Sequence, residues 1–313
     1  LCQHVLHTVQ RINNKTDGFL DELLPNHTIL VSVATSGECE GAASVRADFA
    51  TLRDRLPGFV AVIGPYCSTD AEAVSSATWR GTPEGSQAVI VSPSSTAPAL
   101  ANTTAYPDLI RMASNEQHIS TALVGVAQTL NWRHVAVLHD DTVWGRGSAD
   151  AFMRTFVAHG GTILNAGDTE FERDGLNAGR FSATALLDQL EQYSPRVILV
   201  VTYPSEQREI FAAVYDQRRL WGEGYAWMSA YPSESILYNP DGSPNASAIM
   251  GARGLLGVLE SSVGSTELFQ SYANLWARSS SSGMCPGTAA ADGSSVLYCD
   301  SDGDPFTLPS YGT

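Results

Sequence analysis

The sequence predicts an α/β protein built on doubly wound parallel sheets, and three observations carry that prediction. Short runs of Val, Ile, Leu and Ala recur along the chain, segments with apolar residues at helical spacing stand between them, and the runs themselves show little period-two alternation. A strand that alternates apolar and polar residues has one wet face, whereas a run apolar throughout is covered on both sides, as a parallel sheet with crossover helices requires.

The first phrase is TILVSV (28 to 33), then Val45, Phe49, Leu52 and Leu56 at helical spacing, then FVAVIG (59 to 64), which together read as strand, helix, strand. The pattern continues through AVIVS (88 to 92), HVAVLH (134 to 139), GTILN (161 to 165), RVILVV (196 to 201), YAWM (225 to 228) and GLLGVL (254 to 259). Helical stripes lie between these runs: Ile119, Leu123, Val126 and Leu130; Phe152 and Phe156; Leu186 and Leu190; Ile210, Phe211, Val214 and Tyr215. Between Ser92 and Asn115 the chain is rich in proline and small polar residues, which marks a crossing between two lobes. A second crossing follows GLLGVL, ahead of a stripe formed by Leu268, Phe269, Tyr272, Leu275 and Trp276. Beyond Arg278 the sequence turns Ser- and Gly-rich and predicts a long surface loop.

A chain of 313 residues suits one large or two modest α/β domains. The formal net charge of −15 disfavours nucleic acid and anionic membrane as partners, because neither polyanion attracts an acidic surface. No apolar run approaches the roughly 20 residues that cross a bilayer. The segment carries no charged and then apolar leader and starts at Leu1, so it reads as an excerpt. Asn-X-Ser/Thr acceptors at Asn14, Asn26, Asn102 and Asn245 point to the outside of a cell, although chance alone supplies some such triplets. The 5 cysteines, Cys2, Cys39, Cys67, Cys285 and Cys299, show no Cys-x-x-Cys and no zinc spacing with histidine, which favours disulfides. Their odd count leaves one thiol over; Cys285 and Cys299 share the late loop and are expected to staple it, with Cys2 unpaired.

In a doubly wound sheet, ligands sit beyond the carboxyl ends of the strands, where helix N-termini present free N–H groups. Ser68 and Thr69 follow FVAVIG and precede a helix expected near Asp70, while Ser92, Ser94, Ser95 and Thr96 follow the next strand. Hydroxyls and N–H groups from two adjacent strand ends suffice to hold a carboxylate, and the same residue types also cap helices. Asp140 and Asp141 end a later strand and are weaker candidates for the cationic end of a ligand. Enzyme and cofactor signatures are absent: WGRGSAD (144 to 150) lacks the third glycine of a dinucleotide fingerprint, there is no Walker motif or Gly-x-Ser-x-Gly elbow, and DSDGD (300 to 304) lacks the glycine placement and closing glutamate of a calcium loop. The expectation is a non-enzymatic domain with no cofactor and no metal.

Five segments in order carry a resemblance: INNKTDGFLDELLP (12 to 25), the Cys39-to-Cys67 interval ending in IGPYCST, VSPSSTAPAL (91 to 100), LNWRHVAVLHDDTVWG (130 to 145) and VTYPSEQREIFAAVYDQRRLWGEGYAWM (201 to 228). They resemble the receptor-family ligand-binding region, the type I periplasmic-binding-protein-like fold of class C G-protein-coupled receptors and natriuretic peptide receptors. The nearest branch resembles the type B gamma-aminobutyrate receptor. The resemblance implies a clamshell of two doubly wound parallel-sheet lobes joined by a hinge, truncated here at both ends, which closes on a small amino-acid-like ligand and signals to a membrane-embedded domain outside this segment. It implies lobe 1 at residues 1–114, lobe 2 at 115–260, and a return to lobe 1 over 261–313. It also implies a disulfide between Cys39 and Cys67, ligand contacts at Ser68 and Ser95, and an aromatic contact from the second lobe at Tyr203. Homo- or heterodimerisation through lobe 1 is implied too, with the helix carrying Val45 and Phe49 and the one after Ser68 as candidate faces. The alternative within the same resemblance is a peptide-binding or ligand-free dimerising ectodomain, as in receptor guanylate cyclases.

Overall fold

The computed structural model describes residues 2–16, 18, 20–33, 39, 42–82, 85, 87–166, 168–173, 179, 181–259, 297–299 and 305–307. The chain divides into two compact units, Leu1–Leu259 and Glu260–Thr313. In the first, the order is α1 (Cys2–Asn14), α2 (Ala42–Arg55), β1 (Ala61–Ile63), α3 (Ser68–Ser75), α4 (Ala77–Arg80), β2 (Val89–Ser92), β3 (Leu109–Arg111), α5 (Gln117–Thr129), β4 (His134–Asp140) and α6 (Val143–Ala158). It continues through β5 (Thr162–Ile163), β6 (Glu170–Phe171), α7 (Ala183–Glu191), β7 (Val197–Val201), α8 (Pro204–Asp216), β8 (Ala226–Ser229), α9 (Ala246–Gly251) and β9 (Leu256–Gly257). In the second unit, β10 (Leu297–Cys299) and β11 (Pro305–Thr307) pair antiparallel.

Two parallel sheets organise the first unit, which is the α/β class expected. The smaller has the order β1-β2-β3, with Val62 opposite Ile90 and Ile90 opposite Leu109. On one of its faces Val45 and Phe49 of α2, Ala73 and Val74 of α3, and Trp79 of α4 bury Ile90. That packing uses up the apolar side chains of α2 proposed for pairing with another chain: Val45 is 3% exposed and Phe49 4%. They serve the chain's own core instead. The opposite face carries Ile63, Val89 and Ile110, all exposed.

The larger sheet has the order β5-β4-β7-β8-β9, with β6 also on β4, and all its pairings are parallel. VILVV in β7 is buried at every position, because helices cover both faces of a central parallel strand. One cluster, built on Val135, Val137, Leu199, Val201, Leu123, Phe152 and Phe156, extends to Ala71, Ala97 and Leu100 and so joins the two sheets through shared apolar contacts. A second, on the other face, gathers Leu138, Ile198 and Val200 with Leu186, Leu190, Ile210 and Phe211.

Several elements depart from expectation: α1, α4, α9 and β6 have no counterpart in the sequence reading, and β10 and β11 pair within the stretch expected to be a long surface loop. Residues 28–33 form no strand; the Asn13 side chain takes the place of a neighbouring strand, its Oδ1 accepting from the Ile29 N–H at 2.8 Å and its Nδ2 donating to the Ile29 carbonyl at 2.9 Å. The stretch between Ser92 and Asn115, expected to be irregular, contains β3, a strand too short for its periodicity to show. The Leu268 to Trp276 stripe lies outside the described residues.

Cys39 and Cys67 form a disulfide with Cα atoms 5.4 Å apart, as the resemblance implied. Cys2's side chain and the whole of Cys285 lie outside the described residues, and with them the staple to Cys299. Replacing Cys39 and Cys67 by serine should lower stability by about 3 to 4 kcal/mol on the chain-entropy relation for a loop of this length, read as a shift in the urea midpoint. A second expectation concerns Asn165, 1% exposed, which fills the gap that β5 and β6 leave along β4. Its Oδ1 accepts from the Val137 N–H at 2.9 Å and its Nδ2 donates to the Val137 carbonyl at 2.8 Å. Asn165→Ala orphans a buried donor and should cost about 2 to 3 kcal/mol by urea titration; a midpoint like that of the native chain would count against this role.

Candidate functional site

The sequence-predicted residues converge from both sheets. Gly64, at φ +129, turns the chain out of β1 in a conformation that side chains rarely adopt, and its N–H still bonds the Val91 carbonyl at 2.9 Å. Cys67 then stands at the N-cap of α3 with no side-chain cap, so Ser68 is the first helical residue. Ser68 does not cap this helix: its Oγ accepts from the Ala97 N–H at 3.2 Å on the neighbouring loop, and the side chain is buried. Ser95 does not cap a helix either. Its Oγ donates to the Tyr66 carbonyl at 3.3 Å and accepts from Ser92 Oγ at 2.6 Å. Ser94 is half-buried. The Thr69 hydroxyl is buried with no hydrogen-bond partner, which leaves a polar atom available at the start of α3.

From the larger sheet, Asp140 ends β4 fully buried. Its Oδ1 accepts from the Thr142 N–H at 3.0 Å and the Thr142 hydroxyl at 2.5 Å, and its Oδ2 accepts from the Thr202 hydroxyl at 2.8 Å. The Asp140 carboxylate therefore ties the ends of β4 and β7 together. Asp141 accepts the Arg173 N–H at 3.0 Å. Thr142 caps α6 by accepting from the Gly145 N–H at 3.0 Å, which sets Trp144 in the first turn. Tyr203 is the N-cap residue of α8, ahead of Pro204, the residue type preferred at the first helical position.

Sequence reasoning missed the partners of Tyr203. Trp144 lies 5.2 Å from it and Tyr231 6.3 Å, with Trp144 and Tyr231 themselves 6.0 Å apart, all measured between ring centroids. The Arg173 guanidinium lies 4.1 Å over the Tyr203 ring, and its Nη1 donates to the Cys39 carbonyl at 3.4 Å. Burial first, and the neighbouring Tyr66 phenol second, push the Tyr231 phenol up to about 12. Trp144 and Glu206 lie within segments that carry the resemblance but were given no role there, and no periodicity or motif marks Arg173 or Tyr231, because their meeting depends on loops from separate strands.

Burial governs the charges here. It raises Tyr203, with Asp140 adding to the effect. It also holds Asp140 above its ordinary value, against the opposing bonds from Thr142 and Thr202. Glu206, 2% exposed, is raised by burial too, opposed by the Ser205 hydroxyl and by Arg173. Among the acceptor asparagines, Asn14, Asn26 and Asn102 are exposed; Asn245 is half-buried and caps α9 by accepting from the Ala248 N–H at 2.9 Å.

The receptor family ligand binding region matches residues 5–289. This chain belongs to that family. Taste receptor type 1 member 3 of Felis catus is 25% identical over 228 residues, which cover 71% of this chain and 24% of the relative. The same receptor of Canis lupus familiaris is 25% identical over 206 residues, covering 64% and 23%. The chain thus spans about a quarter of the length of the curated relatives it matches. No helix among the described residues is long and apolar enough to cross a membrane.

The raised Glu206 carboxyl has a consequence for stability. In the range above its ordinary 4.5 the folded chain keeps a proton that the unfolded chain releases, so stability is full below that range and falls as pH rises through the raised value. Glu206→Gln should flatten this decline. Urea midpoints of the two proteins should converge toward pH 4 and separate in the variant's favour toward pH 8, whereas a constant offset would contradict burial as the governing effect.

Proposed function

We propose that this chain is the extracellular, non-enzymatic sensor domain of a membrane receptor, binding a small amino-acid-like carboxylate between two lobes and signalling by their closure. Lobe 1 is assigned to residues 1–114 with 261–313, and lobe 2 to 115–260. The observation that carries this reading is the convergence of Ser68 and Ser95, from adjacent strand ends of one sheet, with the Trp144, Tyr203 and Tyr231 cluster on the other. The Ser68 hydroxyl accepts from Ala97 and keeps its own hydrogen to donate, and the buried Thr69 hydroxyl beside it adds a second donor. Ser94 completes this shelf of hydroxyls, and α3 supplies first-turn N–H groups with no intrahelical partner. Aromatic rings from lobe 2 cover the bound molecule and exclude water, which strengthens each polar contact beneath them. Only a ligand that favours the closed state shifts the equilibrium between open and closed, so discrimination between the two states, and not tightness alone, produces a signal.

Asp140 and Asp141 are assigned the cationic end of such a ligand, and Asn14, Asn26, Asn102 and Asn245 are assigned glycans. We assign the chain, on the resemblance of its five segments, a kinship with the type B gamma-aminobutyrate receptor among amino-acid sensors. A membrane-embedded domain outside this segment and a dimer partner on lobe 1 complete the proposal. The reading as a peptide-binding or ligand-free dimerising ectodomain draws on one observation: Ser92 and Ser95 bond each other and the Pro65 and Tyr66 carbonyls, so this part of the cleft is already satisfied from within.

Calorimetry of the full ectodomain against a panel of amino acids separates the two, since only the first reading yields saturable heat. On the amino acid that binds, Ser95→Ala should weaken affinity about fivefold, the equivalent of roughly 1 kcal/mol for one hydroxyl contact, and Tyr203→Ala by about 2 kcal/mol or more. Unchanged affinity with a lowered melting temperature in both variants would show that these side chains serve the fold alone.

A further inference from the structure

We propose that Arg173 is a proton-governed latch between the two lobes: it reaches across to the Cys39 carbonyl while Glu206 is protonated, and turns to Glu206 when that carboxyl ionises. Low pH then favours the joined arrangement and high pH releases it. The inference rests on the reading above that the domain opens and closes.

The contacts of one side chain define the device. Arg173 Nη1 donates to the Cys39 carbonyl at 3.4 Å, the long limit of such a bond. Cys39 is joined through sulfur to Cys67 at the head of α3, so this contact runs from the segment after β6, on the larger sheet, to the smaller one. Arg173 Nε lies 3.8 Å from Glu206 Oε1, in the first turn of α8, and is buried with no hydrogen-bond partner. The guanidinium stacks 4.1 Å over Tyr203, a contact that holds the cation without using any N–H. Its backbone N–H is anchored by Asp141 at 3.0 Å.

An arginine paired with an ionised carboxylate closes to about 2.7 to 2.9 Å, and Arg173 stops roughly 1 Å short of that. The guanidinium is a rigid plane, so closing the gap carries Nη1 along with Nε, and a 3.4 Å bond has no slack for such a movement. A neutral Glu206 exerts no pull of this kind. The two acceptors therefore compete for one cation, and the proton on Glu206 decides between them.

Burial holds Glu206 above its ordinary value, with Asp140 at the end of β4 adding to the effect and the Ser205 hydroxyl and Arg173 opposing it. Tyr203 at the start of α8, Tyr231 beyond β8 and Asp70 on α3 also face this cluster. Both tyrosines are raised and stay neutral throughout the physiological range. Asp140 is raised too, but its oxygens are taken by Thr142 and Thr202, whereas Glu206 Oε1 faces Arg173. Because the folded-state value is raised, the latch is fully engaged near the ordinary 4.5 and is lost as pH rises through the raised value.

The test is small-angle X-ray scattering of the full ectodomain, without ligand, at about pH 5 and about pH 8. The native chain, Glu206→Gln and Arg173→Met are compared, with thermal unfolding to show that each is folded at both pH values. The native radius of gyration should grow from the lower pH to the higher. Glu206→Gln should keep the smaller value at both, and Arg173→Met the larger at both. A native radius that does not change overturns the inference. So does a response retained in Glu206→Gln, which would assign the expansion to general repulsion in a chain of net charge −15. An Arg173→Met chain that responds like the native one overturns it as well. If Arg173→Met fails to fold, Glu206→Gln decides alone. Scattering of the native chain with a panel of amino acids at one pH tests the underlying reading separately. Compaction by an amino acid without any pH response strikes the latch and keeps the clamshell, whereas the expected pH pattern without such compaction keeps the latch and removes the ligand class.

Discussion

The carboxyl group of Asp140, fully buried at the end of β4, is the contact on which the aromatic cluster depends. Burial disfavours its charged form, and three donors oppose that effect: the N–H and hydroxyl of Thr142 and the hydroxyl of Thr202. Those bonds join the ends of two neighbouring strands and fix the start of the helix that follows. Trp144 is two residues beyond Thr142, and Tyr203 is one beyond Thr202. The aromatic cluster is thus set by a polar knot beneath it. Gly145 belongs to the same constraint, since a Cβ there would lie 2.1 Å from Asp140 Oδ1.

Above that knot, polar and apolar contacts between the sheets have different roles. The apolar cluster that includes Ala71, Ala97 and Leu100 on one side and Trp144, Phe152 and Leu123 on the other supplies non-directional attraction. Directional contacts accompany it, among them the Glu116 N–H to the Thr96 carbonyl at 2.9 Å and Arg173 Nη1 to the Cys39 carbonyl. The chain belongs to the receptor family ligand binding region, and its carboxyls Asp140 and Glu206 lie where water is excluded, which favours their neutral forms.

The α/β class, most strands and most helices were set by the sequence alone, because the burial of a parallel strand on both faces and of a helix on one leaves a local pattern. VILVV and the Ile210, Phe211, Val214 stripe each carry theirs within a dozen residues. The exceptions are instructive. TILVSV has the composition of a strand, but a strand exists only in a ladder, and side chains bond this segment instead: Asn13 both backbone groups of Ile29, and Arg55 the Val33 carbonyl. Leu109 to Arg111 forms a strand by pairing with β2, too briefly for any period to appear.

The hydroxyls at the strand ends were legible for a related reason: the turn from a parallel strand into a helix places them, and local sequence specifies that turn. What they do there was not legible. Helix capping and ligand binding ask for the same residue types, and only the packed structure shows Ser68 and Ser95 bonded to neighbouring loops instead of capping helices. The aromatic partners of Tyr203 and the stacked Arg173 come from segments tens of residues apart. Their convergence is decided by sheet order and by the length of each returning loop, which no local periodicity records. Sequence by itself determined which elements form and where their polar ends fall; tertiary structure alone decided which of those ends face each other, because that depends on long-range packing.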